Sequence, residues 1–451
     1  MAGAQTFEQE GGRNVTNGTY TPRMRPLSTR RSAHVCALDV GASKIVCLIA
    51  KLTPVAAEDA VEGRTHRVKI IGIGRQPSRG VKSGRVVDMD AAESAIRCAV
   101  DAAERMAGVR AEGVIVNLTG GRIASHRLSA GAIVGGRAVC AGDVDYALDE
   151  AALASARDGR SALHSLPTGF ALDGSPTAKP PIGMIGQELT ADLHIVSAEA
   201  AAARNLMLAV ERCHLSIEAM AATPYASGLA CLVEDETELG AAVIDMGAGT
   251  TSMAVFERGR LVHCDAVAVG GAHVSMDVAR GLTLALSDAE RLKIQHGACV
   301  SSPADERETV VVVHAGEEGA RPTYLPKAHL TRIIRPRVEE ILELARDRLT
   351  AAGYGAVVAR RLVLCGGASQ LAGVLELSRA TLSRGARLGR PFAAAGLPDT
   401  AAGPGFAAAV GLLVYPQLAG AEHFEPSRHR MQKAASDTYV AKVGRWLKES
   451  F

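Results

Sequence analysis

A short pattern that occurs twice constrains the fold of this chain more than any other feature. The later copy, Gly240 to Phe256 (GAAVIDMGAGTTSMAVF), has an apolar run, the carboxylate of Asp245, a glycine-containing turn and a second apolar run. The earlier copy, Val35 to Ala50 (VCALDVGASKIVCLIA), has Asp39 in the corresponding position. Each half of the chain holds one copy, so we expect two related halves.

Each turn carries groups that bind a phosphate. Glycines leave backbone amides open to an anion, and hydroxyl and ammonium groups add donors. A carboxylate at the end of the first strand suits a hydrated magnesium ion. We therefore predict that Asp39 and Asp245 hold a Mg²⁺ ion. The predicted phosphate donors are Gly41, Ser43, Lys44, Gly247, Gly249, Thr250 and Thr251.

The residues after each turn separate this pattern from other phosphate sites. P-loop and dinucleotide-binding folds run from a strand through the turn into a helix. Here Ile45, Val46 and Ile49 follow the first turn, and such β-branched residues predict a second strand and hence a hairpin. For one copy alone, an ordinary hairpin turn is the alternative. Two copies with matching flanks favour paired phosphate hairpins, which are typical of actin-like ATPases with nucleotide between two domains.

Composition limits the class of protein. With 451 residues, 47% of them hydrophobic and 22% charged, the chain is globular and large enough for two or more domains. A net charge of +2 and an aromatic content of 3% argue against nucleic acid as a partner. The nine cysteines are scattered without a metal-binding spacing, as is typical of reduced core thiols. Residues 1–33 lack the apolar segment of a signal peptide and are predicted to be disordered.

Three later segments are further candidates for the nucleotide site. Gly270 and Gly271 precede a predicted helix, whose N-terminal amides would face a phosphate. Glu290 and Lys293 share one helix face at a spacing of three residues, for which a surface ion pair is the alternative. A predicted strand then runs into a glycine-rich loop that lets a base or ribose approach the backbone. The residues of that loop are Gly366, Gly367 and Ala368.

With these elements in order, the chain resembles the FtsA family of bacterial cell-division proteins. The resemblance covers about residues 34–422 and the C-terminus, and is carried by GRVVDMDAAESAIRCAVDAAERMAG, LTGGRIASH, IIRPRVEEIL and a terminal amphipathic helix. The hairpins alone are shared with heat-shock ATPases, MreB and PilM. The resemblance implies an α/β fold of the actin-like two-domain ATPase type, with duplicated mixed-sheet domains, a small α+β insertion domain and a C-terminal amphipathic helix. It also implies ATP and Mg²⁺ as cofactors, with the nucleoside at Glu290, Lys293 and the glycine-rich loop.

The same resemblance implies a domain organisation. The expected segments are a disordered extension (1–33), the first actin-like domain (34–86 and 169–215, with a return at 389–422), the inserted domain (87–168), the second actin-like domain (216–272 and 359–388), its small subdomain (273–358), a linker (423–437) and a membrane-targeting helix (438–451).

The function implied is that of an ATP-binding membrane adaptor, which tethers FtsZ polymers to the cytoplasmic membrane and helps to assemble the septal division machinery. The expected location is peripheral, on the cytoplasmic face of the membrane at the septum. Expected partners are the FtsZ C-terminal peptide, membrane lipids, further copies of the chain in protofilaments and other divisome proteins. The peptide site is expected at Arg332, Arg335 and Arg337, for which a solvated helix start is the alternative.

Two other functional classes are alternatives. An active ATPase or kinase would need a catalytic carboxylate, but Thr223 stands where many relatives carry glutamate. Ala42 and Ala248 also replace a threonine and a glycine that are frequent in the family. We therefore expect ATP binding with slow or absent hydrolysis. A PilM-like scaffold, the other alternative, would lack the terminal membrane helix.

The C-terminal segment TYVAKVGRWLKESF predicts that helix. Its large apolar residues fall at helical spacing on one face and its basic residues on the others, which is typical of a helix in the membrane interface. The polar residues 423–437 before it are typical of a flexible linker. A helix docked on the protein's own core is the alternative. The predicted lipid-facing residues are Val440, Val443, Trp446, Leu447 and Phe451.

Overall fold

The computed structural model of the protein describes residues 21–24, 26–28, 30–56, 58, 64–154, 159–177, 179–313, 322–392 and 394–423. In chain order the strands are β1 (Ala33–Val40), β2 (Lys44–Pro54), β3 (His66–Pro77), β4 (Val81–Lys82), β5 (Arg85–Val86), β6 (Gly113–Leu118), β7 (Ala124–Ile133), β8 (Arg160–Leu172), β9 (Ser175–Thr177), β10 (Glu188–Glu199), β11 (Ser216–Ala222), β12 (Ala241–Met246), β13 (Thr251–Glu257), β14 (Arg260–Val267), β15 (Thr309–Val312), β16 (Thr323–Pro326), β17 (Leu362–Cys365), β18 (Arg387–Leu388) and β19 (Ala394–Ala395). The helices are α1 (Met89–Ala107), α2 (Ala141–Ala154), α3 (Ala200–Glu211), α4 (Thr223–Cys231), α5 (Glu234–Leu239), α6 (Gly271–Leu282), α7 (Leu286–His296), α8 (Lys327–Ala351), α9 (Gly355–Arg360), α10 (Val374–Thr381) and α11 (Ala407–Val414).

Two mixed sheets share one plan. The first has the strand order β11-β6-β1-β2-β3-β19, and the second has the order β14-β13-β12-β17-β18. In each sheet a hairpin (β1–β2 or β12–β13) pairs with a third antiparallel strand, and a parallel strand lies on the other side of the hairpin's first strand. The structure therefore confirms the predicted duplication of an α/β domain.

The inserted domain occupies a different range from the expected 87–168. Its sheet has the order β7-β10-β8-β9, with α2 packed on one face, and runs from residue 124 to residue 199. Strand β6, inside the expected range, instead pairs with β1 of the first domain. Helix α1 lies so close to β3 that a Cβ atom on Gly74 would be 1.7 Å from the Ala99 carbonyl oxygen. Both elements therefore belong to the first domain.

Helices α4 and α11 cross where the two actin-like domains meet. Both are built mainly from small and apolar side chains and are almost entirely buried. A Cβ atom on Gly411 would lie 1.7 Å from the Ala226 carbonyl oxygen, so this approach requires glycine. Residues 403–415 (GPGFAAAVGLLVY) are rich in small side chains, which permit this crossing. The crossing brings both hairpins to the same interdomain space.

Part of the N-terminal segment that was expected to be disordered packs on the protein. Thr21 is 5% exposed, and its hydroxyl donates to the Ala162 carbonyl oxygen (3.0 Å). Met24 and Leu27 contact the core of the first domain, and β1 already begins at Ala33. Residues 1–20 lie outside the described residues.

Candidate functional site

The two predicted hairpin turns have the same geometry. The first turn comprises residues 41–44, of which Lys44 begins β2, and the second comprises residues 247–250, between β12 and β13. In each turn the amide of the first residue donates to the carbonyl oxygen of the fourth, at 3.1 Å in the first turn and 2.9 Å in the second. The likeness of the two copies therefore extends from sequence to backbone hydrogen bonding.

The two turns face each other across the domain junction. A Cβ atom on Gly249 would lie 3.1 Å from the Ala42 Cβ and 2.9 Å from the Ser83 amide nitrogen, so glycine is needed there. The backbone amides of Ala42, Ser43, Ala248 and Gly249 have no hydrogen-bond partner among the described residues. Open amides on facing turns make a concave site for an anion.

Asp39, at the end of β1, is held by Asn117 of the adjacent strand β6. The Asn117 amide group donates to Asp39 Oδ1 (2.6 Å) and to Thr223 Oγ1 (3.0 Å), and its oxygen accepts from the Val40 amide (2.7 Å). Asn117 is 2% exposed and absent from the predicted site residues. One sequence signal could have identified Asn117: it is a polar residue at the carboxyl end of a strand parallel to β1, and ligands of α/β sheets bind at that end.

Asp245 is the penultimate residue of β12, on the opposite side of the junction. Ser227 Oγ, on α4, donates to Asp245 Oδ2. Burial raises the pKa of Asp245, while the Ser227 hydrogen bond and Lys44 oppose the shift. Burial also raises the pKa of Asp39 to about 6, with Lys44 opposing and the charge of Asp245 adding to the effect. Two buried carboxylates thus face one space on opposite sides of the domain junction.

Lys44 is the cation between these carboxylates. Its ammonium nitrogen lies 3.6 Å from the centroid of the Phe406 ring and makes no hydrogen bond to any described residue. Burial lowers the pKa of Lys44, and the charge of Asp39 opposes that shift. The ammonium donors are therefore available to a bound anion.

These groups line one cavity of about 880 Å³ between the two domains. Thr251 and Gly270 do not line it: the Thr251 hydroxyl donates to the Val269 carbonyl oxygen (2.8 Å), and Gly270 packs against the backbone of the second turn. The cavity thus brings together most of the predicted nucleotide-site residues. Those that line it are Asp39, Gly41, Ser43, Lys44, Asp245, Gly247, Gly249, Thr250, Gly271, Glu290, Lys293, Gly366, Gly367 and Ala368.

The first amides of α6 support the second turn instead of facing a phosphate. The Gly271 amide donates to the Gly247 carbonyl oxygen (2.9 Å), and the Ala272 amide donates to that of Ala248 (2.8 Å). The Gly270 amide donates to His273 Nδ1 (3.1 Å). This helix N-terminus therefore positions the second turn, in place of the phosphate contact that was predicted for it.

Lys293 and Glu290 are joined through Ser275, which lies on α6. Lys293 Nζ donates to the Gly271 carbonyl oxygen (2.9 Å), to Ser275 Oγ (2.8 Å) and to Glu290 Oε2 (2.8 Å). Ser275 Oγ also donates to Glu290 Oε2. These bonds use the full donor capacity of the ammonium. Lys293 therefore fixes α7 to α6, and Glu290 remains one of the residues that line the cavity.

Gly366 and Gly367 have different roles in the glycine-rich loop. Gly366 has φ +83°, and a Cβ atom there would lie 2.4 Å from Asp245 Oδ1 and 2.5 Å from the Met246 carbonyl oxygen. A Cβ atom on Gly367 would meet nothing within 4 Å. A side chain at 366 would thus displace Asp245, so this glycine makes room for Asp245 and not for the base or ribose that the loop was predicted to admit. A side chain at 367 would enter the cavity.

This difference predicts the effect of filling the cavity at Gly367. Gly367→Leu is expected to lower nucleotide affinity at least tenfold (about 1.4 kcal/mol) and to leave the melting temperature within about 2 °C, because the leucine occupies open space. Gly367→Ala, with one methyl group, should have a smaller effect. Isothermal titration calorimetry and thermal melting measure the two quantities. If the wild type and Gly367→Leu bind nucleotide with equal affinity, the base does not lie in this part of the cavity.

The three predicted peptide-binding arginines lie on α8, each paired with a carboxylate. Arg332 pairs with Glu306 (2.9 Å) and Arg335 with Glu339 (2.8 Å). Arg337 binds Asp277 of α6 at 2.6 and 3.2 Å and also pairs with Glu340. Arg332 and Arg335 are at the surface, whereas Arg337 joins α8 to α6.

The predicted lipid-facing residues Val440, Val443, Trp446, Leu447 and Phe451 lie outside the described residues. Within the described ranges, none of the helices combines the length and apolar character that crossing a bilayer requires.

The duplicated sheets and facing hairpin turns define the class first: the protein has the actin-like ATPase fold. Among solved structures, the PilM–PilN type IV pilus biogenesis complex contains a chain with a TM-score of 0.59 and 16% identity, covering 85% of this chain and 99% of that chain. MreB5 of Spiroplasma citri bound to ADP has a TM-score of 0.50 and 11% identity, covering 86% and 97%.

Sequence similarity then gives the family. The models "Cell division protein FtsA" and "SHS2 domain inserted in FTSA" match residues 242–411 and 120–197. The cell division protein FtsA of Rhizobium meliloti (strain 1021) is 49% identical over 95% of this chain and 98% of its own length. The Escherichia coli (strain K12) protein is 30% identical over 92% and 98%. The chain belongs to the FtsA family of cell-division proteins.

Proposed function

We propose that the chain binds ATP with Mg²⁺ between its two actin-like domains. The observation that carries this proposal is the pair of facing turns, whose open amides and free Lys44 ammonium line one cavity. A triphosphate is a large anion and is bound by amide and cationic donors of this kind. The MreB5 structure of the same fold is bound to ADP. Calorimetry with ATP and Mg²⁺ tests the proposal, and the absence of binding would refute it.

The residues present fit a magnesium ion. Asp39 and Asp245 are buried carboxylates on opposite sides of the cavity. In the ranges that the structure describes, the lining carries three carboxylates (Asp39, Asp245, Glu290) and three cationic side chains (Lys44, Arg75, Lys293), so it leaves the charge of a bound triphosphate uncompensated. No group of three or more His, Cys, Asp or Glu side chains in the described part of the chain is arranged to hold a metal. Asp39 and Asp245 would hold a hydrated magnesium ion, a cation that proteins usually bind through one or two carboxylates together with substrate phosphates. The ion would offset the phosphate charge.

Hydrolysis is expected to be slow or absent. Thr223 Oγ1 accepts from Asn117 and lies 2.5 Å from Thr119 Oγ1. Among the described residues, the carboxylates that line the cavity are those of Asp39, Asp245 and Glu290, so no further one is placed to orient a water. Phosphate release from saturating ATP should therefore stay near the rate without protein. Steady turnover that Asp245→Asn abolishes would contradict this expectation.

We also propose that the protein is an adaptor that tethers FtsZ polymers to the membrane through residues 438–451 and helps to recruit other division proteins. Family membership supports a role in division. The small subdomain offers a surface for an acidic, partly apolar peptide such as the FtsZ C-terminus. Arg335 is half-exposed on α8, and the strand leading into α8 carries Tyr324, 67% exposed, opposite Val311, 52% exposed. Co-sedimentation with lipid vesicles, followed by recovery of FtsZ in the same pellet, tests this role.

The peptide site predicts a charge-reversal effect. Arg335→Glu is expected to weaken FtsZ peptide binding about tenfold or more, because hydrogen bonds to charged groups contribute about 1.5–3 kcal/mol. Nucleotide affinity should stay unchanged, because Arg335 pairs only with Glu339 of its own helix among the described residues. Fluorescence anisotropy with a labelled peptide measures the effect.

Arg346→Glu is the matched control, since Arg346 lies on the same helix and pairs with its neighbour Asp347. Arg337→Glu is less suitable, because it would place a carboxylate beside Asp277 and Glu340 and separate α6 from α8. If the Arg335→Glu and Arg346→Glu variants bind the peptide with equal affinity, the peptide site does not lie on this part of α8.

A further inference from the structure

Residues 415–423, here called the C-terminal strap, run from the end of α11 to the inserted domain. The strap touches the first domain at Gln417, whose Oε1 accepts from the His66 amide at the start of β3 (2.8 Å). It touches the inserted domain at its last residue, where the His423 amide donates to the Ser165 carbonyl oxygen of β8 (2.8 Å). His423 Nε2 also donates to Asp149 Oδ1 of α2 (2.9 Å). The strap therefore joins the two domains.

The centre of this junction is a buried hydrogen bond between His164 of β8 and Glu422 of the strap. His164 Nδ1 and Glu422 Oε1 are 2.9 Å apart, and the two side chains are 0% and 1% exposed. The Ala222 amide donates to His164 Nε2 (2.8 Å), so that nitrogen carries the lone pair and the proton is on Nδ1. The contact is therefore a hydrogen bond from a neutral imidazole to Glu422, and replacing the acceptor would leave a buried donor without a partner.

The junction is connected to the nucleotide cavity by a short path. Ala222, which donates to His164, directly precedes Thr223, which lines the cavity. Asn117 joins Thr223 to Asp39. Two residues after Thr223, the ring of Tyr225 packs edge-on to the His164 imidazole with centroids 4.8 Å apart. The N-terminus of α4 therefore contacts the cavity on one side and the strap junction on the other.

We propose that the C-terminal strap is a latch that holds the inserted domain on the first domain, and that nucleotide in the cavity stabilises the latched state. This second part rests on the proposed nucleotide binding. The strap ends at residue 423, from which the remaining 28 residues (424–451) continue to the proposed membrane segment. The inserted domain is thereby linked both to the cavity and to the origin of the membrane segment.

A matched pair of substitutions in the full-length protein tests the latch. Glu422→Gln keeps an oxygen that accepts from His164 Nδ1, whereas Glu422→Leu keeps the volume but removes the acceptor. Hydrogen exchange of the amides in α2 and β8 is the readout, with β13 in the second domain as the reference. We expect at least tenfold faster exchange in α2 and β8 for Glu422→Leu, wild-type exchange for Glu422→Gln, and no change in β13. If α2 and β8 exchange at equal rates in the two variants, the latch proposal is wrong, because packing alone would then hold the strap in place.

The link to the cavity is tested by repeating the exchange with saturating ATP and Mg²⁺. In the wild type, nucleotide is expected to slow exchange in α2 and β8 at least threefold, and Glu422→Leu should lose this response. If calorimetry shows that the wild type binds ATP but its hydrogen exchange in α2 and β8 does not change, the proposed link between the cavity and the latch is wrong. If calorimetry detects no binding at all, the proposed nucleotide site fails, and the comparison of Glu422→Gln with Glu422→Leu still decides whether the strap is a latch.

Discussion

Asp245→Asn is expected to lower magnesium-dependent ATP affinity at least a hundredfold, about 2.8 kcal/mol at about 1.4 kcal/mol per factor of ten. The amide has the shape of the carboxylate and can still accept from Ser227 Oγ, but it lacks the charge that attracts the cation. Calorimetry with and without magnesium measures the loss. Asp265→Asn is the matched control, because Asp265 lies outside the cavity on β14 of the same domain and pairs with Arg348.

The same substitution should not destabilise the nucleotide-free protein. Burial raises the pKa of Asp245, so the folded state holds its proton to higher pH than the unfolded state does. The ionised carboxylate therefore lowers the free energy of unfolding at neutral pH, and asparagine removes that cost. We expect a melting temperature equal to or above that of the wild type, with a difference that grows as pH rises from the ordinary pKa of an aspartate to the raised pKa and is constant above it. Unchanged affinity, or a variant that unfolds, would contradict the assignment of Asp245.

The hairpins could be predicted because the interactions that form them are local. Strand, turn and strand lie within about twenty residues, and the glycines and β-branched residues specify each part. The second copy then implied that the two aspartates face one cavity, as they do. Asn117 was missed because its contact with Asp39 joins strands far apart in sequence. A polar residue at the carboxyl end of a predicted strand makes Asn117 a candidate, but no local pattern shows that it fixes the orientation of a distant carboxylate.

The roles that differ from expectation all depend on tertiary contacts. Lys293 is on the predicted helix face, but its donors are used by Gly271, Ser275 and Glu290. Gly366 is in the predicted loop, yet the missing side chain makes room for Asp245 and not for a base. The range of the inserted domain was misplaced because β10 has the apolar character of a central strand, and only its pairing with β7 and β8 assigns it to the small sheet.

Deleting residues 438–451 is expected to abolish vesicle binding without unfolding the protein, because the predicted amphipathic helix is expected to bury its apolar face in lipid and not in the protein core. Each large apolar side chain contributes roughly 1.5–3 kcal/mol when fully buried, and each basic residue about 1 kcal/mol near anionic lipid. Ordering the segment costs roughly 1–2 kcal/mol per residue, which offsets much of this gain. A single copy should therefore bind weakly and reversibly, and stable attachment should require several copies joined in a polymer.

A pair of double substitutions distinguishes the contribution of the apolar face to vesicle binding from the effect of added negative charge alone. Trp446→Asp with Phe451→Asp places two carboxylates on the predicted lipid-facing side, and should lower vesicle binding at least tenfold (about 1.4 kcal/mol). Thr438→Asp with Ala441→Asp adds the same charge on the opposite side of the predicted helix, and should lower binding much less. Sedimentation with vesicles that contain anionic lipid measures both, and circular dichroism checks the fold. If both double variants lose binding equally, the attraction is electrostatic and the segment does not insert an apolar face. If the deletion still binds vesicles, the membrane contact lies elsewhere in the chain.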